Sequence, residues 1–129
     1  MVYLLGYDIG SSSIKSTIMD SDNGQVIASA TSPKQELPIN APHPGWAEQY
    51  PEIWWKHVKL STNQLLSKAH IDIDDIKAIG ISYQMHGLVL ADKINRYYDL
   101  LSSGLTAVLL RLAIRLFPIL ARKSVFPNY

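Results

Sequence analysis

The stretch that most constrains the fold runs from Tyr3 to Asp20 and reads YLLGYDIGSSSIKSTIMD. An apolar run ends at Asp8, a Gly-Ser-Ser-Ser segment follows, and a second run begins at Ile14. Apolar residues bounded by small turn-forming residues are typical of strands. The pattern therefore predicts a strand, a tight turn and a returning strand.

The residues of this turn suit a phosphate group. Gly10 permits the chain reversal, and Ser11, Ser12 and Ser13 offer backbone N–H groups and hydroxyls without bulk. Asp8 suits Mg²⁺, which binds few carboxylates and takes its other ligands from water and phosphate. An ordinary hairpin with a polar turn explains the same spacing about equally well, since short Gly/Ser loops are frequent.

Composition excludes several classes of protein. The chain has 129 residues, enough for one domain, and 47% of them are hydrophobic, enough for a core. The net charge of +1 predicts no nucleic-acid or membrane partner, and the absence of cysteine excludes disulfides, a thiol nucleophile and a zinc–thiolate site. The first ten residues, MVYLLGYDIG, lack the basic region of a signal peptide, so we expect a cytoplasmic protein.

The charge is unevenly distributed along the chain. Residues 1–92 carry six Lys/Arg and ten Asp/Glu, a net charge of −4, whereas residues 93–129 carry six Lys/Arg and one Asp, a net charge of +5. All three Trp and all four His precede the change, and Leu-rich runs with scattered Arg follow it. Two parts of different origin are indicated.

The first part alternates between strand and helix patterns. Residues Gln25 to Thr31 predict a third strand, reached through the hairpin turn Asp20 to Gly24, which completes an antiparallel meander. A proline-rich loop follows from Ser32. A helix is predicted from Pro51, because Pro suits its first position and Trp54, Val58, Leu65 and Ala69 share one face, with Ile53 and Leu66 beside them.

Two further strands are predicted after the helix. An acidic turn, Asp72 to Asp75, precedes the strand Ile76 to Ser82, and the loop Tyr83 to Gly87 leads to a strand Leu88 to Ala91. The helix is then a crossover that adds a strand to the meander, giving an α/β fold. Asp72, Asp74 and Asp75 are better interpreted as a solvated helix-cap turn than as a carboxylate site.

Two loops, DIGSSS and YQMHG, stand at strand ends and could line one cleft. His86 could hydrogen-bond a hydroxyl, Met85 could give an adaptable apolar contact, and Trp46 of the proline-rich loop could cover a sugar ring. His86 and Trp46 each have a structural alternative that is favoured in isolation: a loop histidine bonded to backbone for His86 and a Trp capping the core for Trp46.

Three segments together resemble one family. YDIGSSSIK, PGWAEQYPEIWW and IKAIGISYQMHG, in this order, are similar to the N-terminus of the FGGY carbohydrate kinases, and the Met-His-Gly loop resembles the xylulokinase branch. The resemblance covers residues 1–92. It implies the N-terminal part of an actin-like, ribonuclease-H-like ATPase fold, in which ATP and sugar meet in a cleft between two domains.

The resemblance also implies roles for single residues. Asp8 would be the catalytic carboxylate on the Mg²⁺ side and would hold the ion. Gly10, Ser11, Ser12 and Ser13 would contact the ATP phosphates, with Lys15 as a supporting cation. Gln84, Met85, His86 and Trp46 would contact the sugar.

The implied reaction is ATP plus D-xylulose giving ADP and xylulose 5-phosphate, by in-line phosphoryl transfer. The family's proton acceptor is an Asp in a later part of such kinases, as is the adenine-binding domain. The expectation is therefore an inactive fragment of a cytoplasmic sugar kinase whose parent is a homodimer, with no nucleic-acid or membrane partner.

The tail, residues 93–129, lacks the continuation similar to RPSIIWxDSRA that the resemblance implies. A one-base slip near Lys93 would explain this, because the shifted frame through Leu112 permits KNQQVLRPSIIWFDSRAVEI. The residues present fix most bases of every shifted codon, so chance agreement over the whole segment is very improbable. We therefore hypothesise a frame-shifted tail, helical or disordered.

Three functions remain open from the sequence. The first is the sugar-kinase fragment, and the second is a non-catalytic phosphate- or sugar-binding remnant. The third is a small membrane-associated protein that uses the basic, apolar tail. The stretch Leu100 to Leu110 is too short to span a bilayer.

Overall fold

The computed structural model describes residues 1–45, 47–85, 87, 89–91 and 97–98. The elements in chain order are β1 (Tyr3–Ile9), β2 (Ile14–Asp20), β3 (Val26–Ser32), α1 (Pro51–Ala69), a 3₁₀ turn (Ile73–Asp75), β4 (Ile76–Tyr83), β5 (Leu90–Ala91) and β6 (Tyr97–Tyr98). The alternation of strands and helix is that of an α/β fold, as predicted.

The first four strands form one sheet in the order β3-β2-β1-β4. β1 and β2 pair antiparallel, with Asp8 opposite Lys15, and β2 pairs antiparallel with β3. β4 joins the other side of β1 in parallel, with Ser82 beside Asp8. Parallel neighbours need a crossover, and α1 lies within it. The predicted meander and crossover are both confirmed.

One face of the sheet packs on α1 because the side chains of β1 alternate. Tyr3, Leu5, Tyr7 and Ile9 are buried on that face, while Asp8 projects from the other. The helix contributes its predicted apolar stripe, of which Trp54, Val58 and Leu65 are buried. Burying side chains of this size stabilises the fold by roughly 1.5–3 kcal/mol each.

Polar side chains are also buried between helix and sheet. The Tyr7 and Thr62 hydroxyls are 2.6 Å apart, and Ser16 Oγ donates to the carbonyl oxygen of Ser61 at 3.2 Å. Thr62 Oγ1 in turn donates to the Val58 carbonyl oxygen. Burial raises the pKa of Tyr7 to about 12, although the hydrogen bond with Thr62 opposes the shift. The interface between helix and sheet is therefore held by hydrogen bonds as well as by apolar contacts.

A second tie joins α1 to the edge strand. Ser32 Oγ and His57 Nδ1 are 2.9 Å apart at the end of β3. Burial, followed by repulsion from Lys56, lowers the pKa of His57. His57 therefore stays neutral to a lower pH than a free imidazole, in the form that can accept a hydrogen bond from Ser32.

Some predicted boundaries move. β3 begins at Val26 and ends at Ser32, one residue later than predicted, and its pairing with β2 is irregular between Ile18 and Met19. β4 continues to Tyr83, and the last predicted strand is reduced to Leu90–Ala91, with Leu88 outside the described residues. The acidic turn is a cap, as predicted, because the Asp72 carboxylate accepts from the Asp74 amide at 3.0 Å.

Candidate active site at one edge of the sheet

Asp8 lies near the carboxyl end of β1, on the sheet face opposite α1. Lys15 Nζ lies 3.6 Å from Asp8 Oδ2, and Ser82 Oγ donates to Asp8 Oδ1 at 3.2 Å. The register dictates both contacts, because Lys15 and Ser82 are its partners on the two flanking strands. About half of the Asp8 side chain is exposed, so its carboxylate is accessible to a ligand.

The turn after β1 is closed by a hydrogen bond from the Gly10 amide to the Ser13 carbonyl oxygen, 3.0 Å long. A Cβ on Gly10 would lie 3.0 Å from that same oxygen, closer than side chains normally approach. Gly10 does not have a positive φ, unlike Gly24 and Gly45. Glycine is therefore needed here for close approach rather than for a left-handed backbone.

The second loop begins beside the first. The Gln84 amide donates to the Ile9 carbonyl oxygen at 3.0 Å, which extends the β1–β4 pairing by one step. Met85 follows with 74% of its surface exposed. The starts of the two loops thus share one edge of the sheet, as the sequence predicted. Trp46 and His86, both predicted sugar contacts, lie outside the described residues.

Two residues of this region were missed by sequence reasoning. Ser82 bonds Asp8, and only the parallel register of β4 could have revealed it. Gln49 lies near the end of the proline-rich loop, and its Nε2 donates to the Ser11 carbonyl oxygen at 2.7 Å. No local sequence pattern predicts this contact, since the bond connects segments far apart in the chain.

The side chains around the turn after β1 can be compared with those that hold Mg²⁺ in proteins. Within the described ranges, no three His, Cys, Asp or Glu side chains converge. Asp8 is a single accessible carboxylate beside a turn rich in N–H groups and hydroxyls. Mg²⁺ is commonly held by one or two carboxylates together with water and substrate phosphates, so the residues present fit that ion.

No helix in the described part of the chain has the length and hydropathy needed to cross a membrane. The basic, apolar tail from residue 99 onward, on which the membrane hypothesis depends, lies outside the described residues.

Comparison with known proteins gives one consistent result. Residues 3–102 match the N-terminal domain of the FGGY family of carbohydrate kinases. The xylulose kinase of Klebsiella pneumoniae is 38% identical over 91 residues, which are 69% of this chain and 17% of that protein. The glycerol kinase of Paracidovorax citrulli is 39% identical over 90 residues, 70% of this chain and 17% of that protein.

A solved structure gives the same answer for the fold. The crystal structure of a xyloylose kinase from Brucella ovis superposes with a TM-score of 0.69 at 32% identity, covering 80% of this chain and 20% of that one. The chain thus has the fold of the N-terminal part of an actin-like sugar kinase, as the resemblance implied. It spans about a fifth or less of the length of these relatives.

Proposed function

Because the chain belongs to the FGGY family of carbohydrate kinases, we propose that it is one wall of the active site of a D-xylulose kinase. The parent reaction is the transfer of a phosphoryl group from ATP to D-xylulose, giving ADP and xylulose 5-phosphate. Relatives named xylulose kinase support this sugar, although glycerol kinases match at similar identity.

The observation that carries the proposal is the parallel pairing of β1 with β4. It brings the Gly10–Ser13 turn and the Gln84–Met85 loop to one edge, with Asp8 of β1 half-exposed beside Ser82 of β4. In α/β sheets, ligands bind outside the carboxyl ends of the strands. A phosphate donor at the first loop and a sugar acceptor at the second would then lie side by side.

Each group at this edge of the sheet would have a chemical role. Asp8 would hold Mg²⁺, directly or through water, and the turn amides and hydroxyls of Ser11, Ser12 and Ser13 would bind phosphate oxygens. Lys15, 3.6 Å from Asp8, would add positive charge. When bound, Mg²⁺ neutralises charge on the transferred group, and the protein's part is positioning. Gln84, Met85, His86 and Trp46 would contact the sugar.

Transfer also needs a base that accepts the sugar hydroxyl proton. The family resemblance implies an Asp in a later part of such kinases, and this chain matches only 17% of its curated relatives. We infer that the 129-residue chain binds its ligands but does not catalyse phosphoryl transfer. The parent would be a cytoplasmic homodimer acting on a small sugar.

Turnover is tested with a coupled ADP-release assay on the full chain, with D-xylulose or glycerol as acceptor. We expect no ADP release above the sugar-free rate. Release that depends on D-xylulose would contradict the inference that the proton acceptor is missing.

Binding is tested by calorimetry with MgADP. Replacing Asp8 by Asn keeps an acceptor for Ser82 but removes the charge, so we expect the Mg²⁺-dependent part of the affinity to be lost. Asp22→Asn, in the exposed turn after β2, is the matched control and should bind like the wild type. Equal Mg²⁺ dependence of the affinity in the wild type and in Asp8→Asn would contradict the proposal that Asp8 holds Mg²⁺.

For the tail we propose that residues 93–129 are read in a shifted frame, although the match to the family model extends to residue 102. The change in charge at residue 93 and the hidden string RPSIIWFDSRA support this. Sequencing the gene across codons 90 to 115 decides the matter. The proposal fails if no single-base change restores that string.

A further inference from the structure

One side chain of the proline-rich loop reaches the Gly10–Ser13 turn. Gln49 Nε2 donates to the Ser11 carbonyl oxygen at 2.7 Å and to the Pro38 carbonyl oxygen at 3.2 Å. Gln49 Oε1 accepts from the indole Nε1 of Trp54 at 3.1 Å. A carboxamide has two donor hydrogens and one acceptor oxygen, and all three functions are used here.

The anchor of this arrangement is rigid. Trp54 lies in α1 with only 5% of its surface exposed, packed in the core between helix and sheet. Its indole N–H fixes the orientation of the Gln49 amide, since the oxygen must face Trp54 and the nitrogen must then face the turn. Gln49 therefore connects α1 to the turn and fixes their relative position.

The carbonyl oxygens of the three serines in the turn each accept a hydrogen bond. Besides Gln49 on Ser11, the Leu37 amide donates to the Ser12 carbonyl oxygen at 2.7 Å, and the Gly10 amide donates to that of Ser13. A trans peptide is planar, so each N–H points opposite to the carbonyl that precedes it. The amides of Ser12 and Ser13 consequently point away from Gln49 and Leu37.

In the described part of the chain, the amides of Ser12 and Ser13 are unused hydrogen-bond donors. Within the described residues, neither the Ser12 nor the Ser13 amide donates a hydrogen bond to another group. Successive N–H groups with the same general orientation form a concavity that attracts anions. The availability of the amides thus depends on how the carbonyls are held.

We propose that Gln49 is a positioning residue: by holding the Ser11 carbonyl against the proline-rich loop, it keeps the turn amides directed outward for a phosphate group. The inference rests on the proposed phosphate-binding role of the turn. Gln49 does not itself touch the phosphate. Among the described side chains, it is the one that bonds to the turn backbone.

Two variants of the full chain separate the bonds. Gln49→Glu keeps an acceptor for Trp54 but has no donor for the Ser11 carbonyl, and Gln49→Met keeps the length without either function. Asn40→Ala is the matched control, because Asn40 lies in the same loop and bonds Glu48 rather than the turn.

The first measurement needs no ligand. Amide hydrogen exchange by NMR reports the bonds from Leu37 to Ser12 and from Gly10 to Ser13. We expect both amides to exchange about 5- to 10-fold faster in the Gln49 variants, the change that corresponds to the loss of about one hydrogen bond. Asn40→Ala should exchange like the wild type, and urea unfolding gives the change in global stability for comparison.

The second measurement is a titration with MgADP, following the amide signals of Ser12 and Ser13. We expect both signals to shift in the wild type and the affinity to fall about 5- to 10-fold in Gln49→Met, with Asn40→Ala unchanged. A wild-type chain without these shifts would refute phosphate binding by the turn, but not the positioning of the turn by Gln49.

The two results distinguish the claims. Unchanged exchange of Leu37 and Gly10 in both Gln49 variants would overturn the positioning role, whatever MgADP does. Exchange that accelerates at these amides by no more than the fall in global stability would overturn it too, since Gln49 would then only stabilise the fold.

Discussion

Asp8 is placed by the backbone and not by its ion pair. The Asp8 and Lys15 side chains are both more than half exposed, and ion pairs of that kind contribute about 0.2–1 kcal/mol. What holds Asp8 in place is the register of three strands, which puts Lys15 on one side and Ser82 on the other. The ion pair with Lys15 therefore contributes little to the stability of the fold.

Tyr7 makes the stability of the fold sensitive to alkaline pH. Its pKa is raised to about 12 from 10.0, chiefly by burial. Between these values the unfolded chain releases the phenolic proton while the folded chain keeps it, so the free energy of unfolding falls by about 2–3 kcal/mol as the pH rises.

The Tyr7→Phe variant should not show this fall in the free energy of unfolding at alkaline pH. Between about pH 9 and about pH 11 the wild type should lose about half of this amount, about 1–1.5 kcal/mol, and urea unfolding at these two pH values measures the loss. The exposed Tyr50 gives the control Tyr50→Phe, which should behave like the wild type. A Tyr7→Phe protein that still loses stability as the wild type does would show that another group is responsible.

Gly10→Ala tests the close approach in the turn. The new Cβ would lie 3.0 Å from the Ser13 carbonyl oxygen, and forcing atoms into a packed site costs about 1–3 kcal/mol. Gly80→Ala is the control, since a Cβ there meets nothing within 4 Å. Thermal unfolding should give a lower midpoint for Gly10→Ala alone, and equal midpoints would contradict the steric explanation.

Helix α1 is held by its apolar stripe, and this can be measured one side chain at a time. Leu65 is completely buried, so Leu65→Ala should reduce the free energy of unfolding by about 2–5 kcal/mol. Leu60, on the same helix but 39% exposed, gives the control Leu60→Ala, with an expected change within about 0.5 kcal/mol. Urea unfolding followed by tryptophan fluorescence compares them.

The first four strands and the helix could be predicted from the sequence. Two apolar runs on either side of a Gly-Ser-Ser-Ser segment predicted β1 and β2, and the start of α1 at Pro51 follows from proline's preference for a first turn. The stripe of Trp54, Val58 and Leu65 followed from a period of 3.6 residues.

The polar half of the helix–sheet interface could not be predicted. Ser61 and Thr62 are buried on α1, where their composition indicates exposure. They are tolerated because both hydroxyls donate to the Val58 carbonyl oxygen one turn earlier in α1, while Tyr7 and Ser16 supply further hydrogen bonds from strands distant in sequence. The same limit applies to Gln49 and Ser82 in the candidate site, which depend on tertiary contacts.

In the described part of the molecule, the sheet has one covered face and one open face. The core residues identified there lie at or before Val89, and all but Val89 lie at or before Leu65. Two of the sheet's three strand pairings are antiparallel, and antiparallel sheets can face water on one side.

A chain ending after Asp92 tests the proposed division at that residue. Because the described core precedes it, we expect the shortened chain to unfold cooperatively, with a midpoint within about 4–8 °C of the full chain, the shift that about 1 kcal/mol produces. Leu65→Ala in the shortened chain should lower the midpoint further, which confirms that a fold is being measured. Loss of the cooperative transition on shortening would assign the tail a structural role.

The parallel partnership of β1 and β4 also sets an order of events during synthesis. β1, β2 and β3 are neighbours in the chain and can pair as soon as they leave the ribosome, whereas β4 must wait for α1 and must close a long loop. Asp8 and the serine turn are therefore made first and meet Ser82 and Gln84 last. Until β4 has been synthesised, the nascent chain holds only the part of the candidate site that β1 and the serine turn supply.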